Sequence, residues 1–392
     1  MSLFSWIRNR TSTRSARGCA QRRPAALRIR LRVEALEDRT LLSTFYAATA
    51  CDLIADINAA NKSGGANTIA LTASTTSPYD VSGLSIAKKD SLTIVGNGDT
   101  INGSGWGRLF DVASGASLTL QNMGLENGYA YGSGAAAEGG AIYNQGTLVL
   151  SGVGLYGNAA VGASGGTVTQ KNQTPPAGAD AAGGAIWSNG SLTLENQTAI
   201  QGNSATGGAG GYNRTTQQYG PGGSAFGGGI YIAGGTANIT GSTVGIYYPN
   251  AGGGIGNTAQ GGDGSLPGSA YGGGVYVAAG TVTVSNDTLE ANQALAGNEL
   301  PNHLNTSADG YGGGLYVAGG TVTLTNDYIE YNLAAVITSN GQGGIAYFRG
   351  HGGGIFIASG ATVYLDAFSV TNTVYNTAET GTNIYGTYTL LP

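Results

Sequence analysis

Charge is scarce in this chain. Asp, Glu, Lys and Arg make up 10% of its 392 residues, against about 25% in an average soluble domain. A compact globule around one core needs more, so the composition argues for one elongated body. Cysteine is nearly absent: Cys19 and Cys51 are the only two. Two cannot staple a framework of this size, and no Cys/His spacing suggests zinc. No apolar run approaches the roughly 18 residues of a membrane helix. Basic residues are rare beyond the start of the chain. Ten of the 17 Lys and Arg lie in residues 1–40, which leaves seven against 19 of the 22 acids, a net −12 for the rest. Such a body lacks the basic footprint that nucleic acid requires.

Glycine is what the chain has in excess, with 71 residues. It shows no Gly-X-Y period, which excludes collagen. It clusters between short β-type runs, where turns and close backbone approaches call for it.

Residues 1–43 read as a disordered, basic targeting leader ahead of a patterned domain spanning 44–392. The leader has no apolar stretch long enough for a standard secretory signal. Its end reads Arg30-Leu31-Arg32-Val33-Glu34-Ala35-Leu36-Glu37-Asp38-Arg39-Thr40-Leu41-Leu42-Ser43. This resembles the LEPR-XLL-type motif of large exported planctomycete proteins, with Asp38 where that motif has proline. The resemblance implies export to the cell surface or beyond.

The domain opens with a predicted capping helix over about 49–65. Thr49 and Asp52 fit a capping box. Leu53, Ile54 and Ile57 share one face, and Lys62 and Gly64 suit the C-terminal end. A strand at 68–71 follows. A helix in this place covers the otherwise open first layer of a repeat stack.

Internal repeats decide the expected fold. Gly-Gly starts followed by an apolar–aromatic pair occur at Gly139, Gly183, Gly227, Gly272, Gly312 and Gly352. Weaker copies run from Gly107 and near Leu84, and Asn383-Ile384-Tyr385 starts a partial one. Each block holds three short β-type runs. In the copy at Gly272, the alternation places Val275, Val277, Val282, Val284 and Leu289 on one inner face. Three strands and three corners make one coil, and stacked coils bury what one coil cannot. The expectation is an all-β parallel β-helix, a solenoid of about eight coils. The GGAI-strand-Asn pattern resembles the polymorphic outer membrane protein repeat of the pectin-lyase-like superfamily over about 105–375. That resemblance implies a right-handed coil.

Two asparagine columns are expected at corners: Asn122, Asn196, Asn286 and Asn326 in one, Asn158, Asn203, Asn292 and Asn332 in the other. Both read as structural, because asparagine tolerates left-handed backbone and can hydrogen-bond along the stack. Five insertions, at about 159–182, 204–226, 248–271, 293–311 and 333–351, must stack on one side as loops. They carry Tyr212, Tyr219, Tyr248, Tyr347, Phe348, Arg214, Arg349, His303 and His351.

Beside them runs the candidate binding face: Phe110, Tyr143, Trp187, Tyr231, Tyr276, Tyr316 and Phe356 are expected to hold one outward slot. Such a row suits either packing beneath the insertions or stacking of sugar rings. No catalytic residues, metal ligands or cofactor site are expected. The acids look single and spread out, although Asp287 and Asp327 recur at one corner, and His351 and His303 have no evident nucleophile. The expected function is an exported adhesion, envelope or glycan-contact protein, with polysaccharide or envelope components as partners. The alternative is a pectin-lyase-like polysaccharide lyase or hydrolase. An acidic or basic cluster on the aromatic face would favour the enzyme.

Overall fold

The computed structural model describes residues 43–73, 78–248, 253–300, 308–339 and 345–392. The basic leader and its motif as far as Leu42 lie outside the described residues, as do Cys19 and His303; Ser43 already opens a strand, Ser43–Ala47. The helix forms at Ala50–Ser63 with Thr49 as N-cap. Its capping box is complete: the Asp52 N–H donates to Thr49 Oγ1 at 3.1 Å, and the Thr49 N–H donates to Asp52 Oδ2 at 3.0 Å. Leu53, Ile57 and Ala60 are buried against the first strands. Among the described residues, no helix is long and apolar enough to cross a membrane.

The rest is all-β, built from long parallel sheets and compatible with a β-helix solenoid. One nine-stranded sheet contains the first strand of every repeat, from Leu84–Ile86 to Ile384–Tyr385. An eighteen-stranded sheet contains the second and third runs. Register is strict. Val282 faces Ala237 on one side and Val322 on the other, and Val284 faces Ile239 and Leu324. The inner face is an aliphatic core of Ile, Leu and Val, with Val275, Val277, Val282, Val284 and Leu289 all buried as the alternation requires. The outer face of the second run carries hydroxyls in register, such as Thr236, Thr281, Thr321 and Thr362.

The insertions are not loops. Their outgoing legs form a seven-stranded sheet that includes Ala159–Gly162, Ser204–Thr206, Thr258–Gln260 and Gln293–Leu295. Their returning legs form a six-stranded sheet that includes Ala181–Ala182, Ala225–Phe226, Ala270–Tyr271 and Gly310–Tyr311. Between these sheets lies a second core made of alanine alone, including Ala160, Ala181, Ala205, Ala225, Ala259 and Ala270.

Further out in this alanine-cored lobe, beyond Ala163 and Ala179, the contact positions are glycine. The two legs hydrogen-bond to each other directly, in a zigzag that climbs the stack. The Ala179 N–H donates to Ala163 O, Gly208 to Ala179, Gly223 to Gly208, Gly262 to Gly223, Gly268 to Gly262 and Gly297 to Gly268, at 2.8–2.9 Å. Ordinary facing sheets stand about 10 Å apart; these backbones are in contact. A Cβ on Gly208 would sit 2.0 Å from the Ala163 carbonyl oxygen. The glycine clusters are thus a packing requirement, which loop-type reasoning does not anticipate.

The lobe joins the main body at a neck formed by the Gly-Gly starts and one asparagine column. The first glycine of each start is left-handed, as at Gly272 with φ 65°. A Cβ on the second, Gly273, would meet the Gln293 backbone of the outgoing leg at 2.4 Å.

Candidate functional site: the aromatic corner and its neighbours

The outward slot of the first-strand sheet is aromatic over seven strands. Tyr143, Trp187, Tyr231, Tyr276, Tyr316, Phe356 and Tyr385 stack in sequence, with ring centroids 4.4–6.3 Å apart and planes within 10°. Six of the expected residues take this slot, and Tyr385 extends it. Phe110 does not. It pairs with Ile142 rather than Tyr143 and is fully buried, so it is a core residue. The copy at Gly107 lacks the second glycine, so its register runs one residue off that of the others, and Asp111 occupies the slot. Arg108 bonds Asp111 and lies over the Tyr143 ring at 5.0 Å, closing that end of the stack.

A second aromatic column was not anticipated. Phe226, Tyr271, Tyr311 and His351 each precede a Gly-Gly start, on the returning leg of the lobe. They stack on one another at 5.1 Å. They also meet the first column edge-on: Phe226 with Tyr276, Tyr271 with Tyr316 and Tyr311 with Phe356, at 5.1–5.2 Å and 73–77°. Side chains that point outward from two adjoining sheets touch only where the sheets form an inside corner. The sequence signal was an aromatic immediately before the glycines in three successive repeats.

This geometry changes what the corner can bind. Within each column, every ring between the two ends has both faces covered by its neighbours. A sugar cannot lie flat on Trp187, Tyr231, Tyr276 or Tyr316 as a ring-face platform requires. Trp187 is buried, and Tyr231, Tyr276 and Tyr316 are part-buried. Burial raises the Tyr231, Tyr276 and Tyr316 phenols above their ordinary range, so they stay neutral hydrogen-bonding groups. Tyr311 is raised by burial and by Asp309, whose Oδ2 accepts its hydroxyl at 3.0 Å. His351 Nε2 lies 3.7 Å from the same carboxylate, and His351 Nδ1 lies 2.5 Å from Thr380 Oγ1.

The two asparagine columns have different jobs. Asn122, Asn196, Asn286 and Asn326 all have φ of 50–61°. Where asparagine is missing from that corner, Gly152 and Gly241 supply φ of 64° and 57°. This column answers a backbone demand. The other column is a buried ladder. Each side-chain amide both donates and accepts within the stack. Asn203 shows the pattern: its backbone N–H and its Nδ2 both donate to Asn257 Oδ1, Nδ2 also donates to Leu155 O, and Oδ1 accepts from Asn158. The ladder runs through Asn158, Asn203, Asn257, Asn292, Asn332 and Asn376. Asn257 and Asn376 escape the sequence pattern because extra residues precede them: the hairpin pairing Tyr247 with Gly254 in one repeat and the short helix Ala367–Thr371 in the other.

Acids do come together at two places. Asp287 and Asp327 are buried in one corner column, as the repeat suggested. Asp287 accepts from the Ser242 and Ser285 N–H groups, and its own N–H donates to Asp327 Oδ1 at 2.9 Å. Burial pushes their carboxyls up to about 6 and about 7. Glu290 and Glu330 are directly opposite on neighbouring parallel strands, a juxtaposition the sequence reading overlooked. Burial, and then Glu290, raise Glu330. Beside them Tyr247, Tyr331 and Tyr375 form a third stack, with centroids 4.1 and 5.2 Å apart. Among the described residues, no three His, Cys, Asp or Glu side chains gather as a metal site.

Comparison with known proteins finds no matching family model, no matching curated protein and no matching solved structure.

Proposed function

We propose that the protein is an exported, non-catalytic right-handed parallel β-helix of about eight coils that contacts glycan at the cell surface or envelope. The aromatic inside corner carries this reading. Its two perpendicular rows offer phenol hydroxyls as donors and acceptors, from Tyr231, Tyr276 and Tyr316 in one and Tyr271 and Tyr311 in the other, at steps of about 4.8 Å along the stack. Ionisable groups sit toward its ends: Arg108, Asp111 and Glu138 at one, Asp309 and His351 at the other. A row of neutral hydroxyls suits an uncharged polymer with its own repeat. Each phenol contact contributes about 0.5–1.5 kcal/mol, so affinity depends on several repeats acting together. The resemblance of residues 30–43 to an export motif supports the location.

Retention on a panel of neutral and acidic polysaccharides tests it. Tyr276→Phe with Tyr316→Phe preserves the ring stack and deletes two hydroxyls. Weakened retention on a neutral polymer is expected. Unchanged retention would remove the corner from the contact.

The Glu290–Glu330 pair favours a second reading, glycoside hydrolysis of the pectin-lyase-like kind. Neighbouring carboxylates with one raised suit an acid and a nucleophile when about 5–5.5 Å apart. Release of reducing ends, abolished by Glu330→Gln, would establish it; intact polymer would retire it.

A further inference from the structure

We propose that the stacked tyrosines of the aromatic corner are a modification site, where a one-electron oxidant joins adjacent repeats by dityrosine bonds within one chain. The pairs are Tyr231–Tyr276, Tyr276–Tyr316 and Tyr271–Tyr311, with centroids 4.9, 5.1 and 5.1 Å apart and planes within 7°. This inference is independent of any glycan contact.

Three observations carry it. Parallel in-register strands hold equivalent ring carbons about one strand spacing apart, roughly 4.8 Å, so partner rings are already neighbours. All five tyrosines keep part of their surface open to solvent, which gives a small oxidant or its radical product access to them. The chain has 22 tyrosines and two cysteines, so phenol coupling is the covalent staple its composition permits while a disulfide framework is not.

The chemistry balances as follows. Each phenol loses one electron and one proton and becomes a phenoxyl radical. Two phenoxyls form one C–C bond between the carbons ortho to their oxygens. The hydrogens on those carbons then shift to the oxygens and restore both phenols. The pair has lost two electrons and two protons. Hydrogen peroxide, working through a haem peroxidase, takes up both and becomes two waters. For Tyr311 a proton acceptor is in place, because its hydroxyl already donates to Asp309. Asp309 is a positioning and proton-accepting residue for that pair.

The test treats the full folded chain with a haem peroxidase and hydrogen peroxide, then maps cross-linked peptides by mass spectrometry. Peptide pairs two hydrogens lighter than their sum are expected at the three positions. The chain should stay monomeric on a denaturing gel, and its unfolding midpoint should rise. The Tyr247–Tyr331–Tyr375 stack, with similar geometry on more open ground, is the internal reference. Tyr276→Phe keeps the stack, should remove two of the three corner links and should leave Tyr271–Tyr311. Asp309→Asn should slow the Tyr271–Tyr311 link several-fold and spare the others. The same links formed equally in urea-unfolded chain would mean that stacking does not direct them. Links only between chains, only at isolated exposed residues such as Tyr46, or only in the reference stack would overturn the proposal.

Discussion

The main body and the lobe solve the same stacking problem with opposite chemistry. The body buries Ile, Leu and Val between parallel sheets, and its stability follows the apolar area removed from water. The lobe has almost no such area. Its alanine core and glycine zigzag bring backbones into hydrogen-bonding contact, so its cohesion rests on close fit and satisfied N–H groups. A body of this kind tolerates exchange among apolar residues of similar volume. A lattice of this kind tolerates no added atom.

The largest expected effect breaks the body. Val284→Asp places an unpaired charge in the aliphatic core and should cost about 4 kcal/mol or more, unfolding the domain cooperatively in a denaturant titration. Its neighbour Thr283 is exposed, so Thr283→Asp, at the other end of the scale, should cost about 0.5 kcal/mol or less. Equal losses would show that the inward–outward assignment is wrong.

Next comes the lobe. Gly208→Val should cost about 3 kcal/mol through overpacking, but locally. Hydrogen exchange should accelerate across residues 159–182 and 204–226, with the strands at 191–195 and 236–240 still protected. Global unfolding instead would mean that body and lobe are one cooperative unit.

A pH series then probes the body's own weak point. Asp287 and Asp327 have folded pKa values of about 6 and about 7, above the ordinary 3.8. The unfolded chain therefore releases these protons first. The contribution of these two groups to stability should be full below about pH 4 and fall by several kcal/mol as pH rises to about 7. Asp287→Asn with Asp327→Asn should flatten that slope and leave the value at pH 4 nearly unchanged. A slope that survives in the double variant would assign it to other groups.

The neck gives the smaller contrast. Asn257→Ala strands the backbone and side-chain N–H groups of Asn203 and should cost about 2 kcal/mol. Asn286→Gly keeps the left-handed backbone and loses only the exposed bond that Asn286 Oδ1 accepts from Asn326 Nδ2, so it should cost about 1 kcal/mol or less. Thermal unfolding of both variants separates a ladder from a corner.

Much of the body was legible because its signals are local and periodic. Thr49, Asp52 and Lys62 announce the helix, and alternation places Val275, Val282 and Val284 inward. One misstep is instructive. Gly107 begins a copy without the second glycine, and shifting its alignment by one turned Phe110 from core into surface. In a period-2 element a single-residue slip reverses every side chain.

The sequence by itself determined the repeat length, the inward faces, the capping helix and the existence of an aromatic row, because each depends on spacing along one chain. Only the tertiary structure decided that the insertions are a glycine lattice, since the partners of Gly208 and Gly223 come from different legs and different repeats. It also decided that aromatics from two sheets meet at right angles, and that Glu290 faces Glu330, forty residues away in the chain. These are contacts across the stack, and their distances are set by strand pairing rather than by any pattern within a repeat.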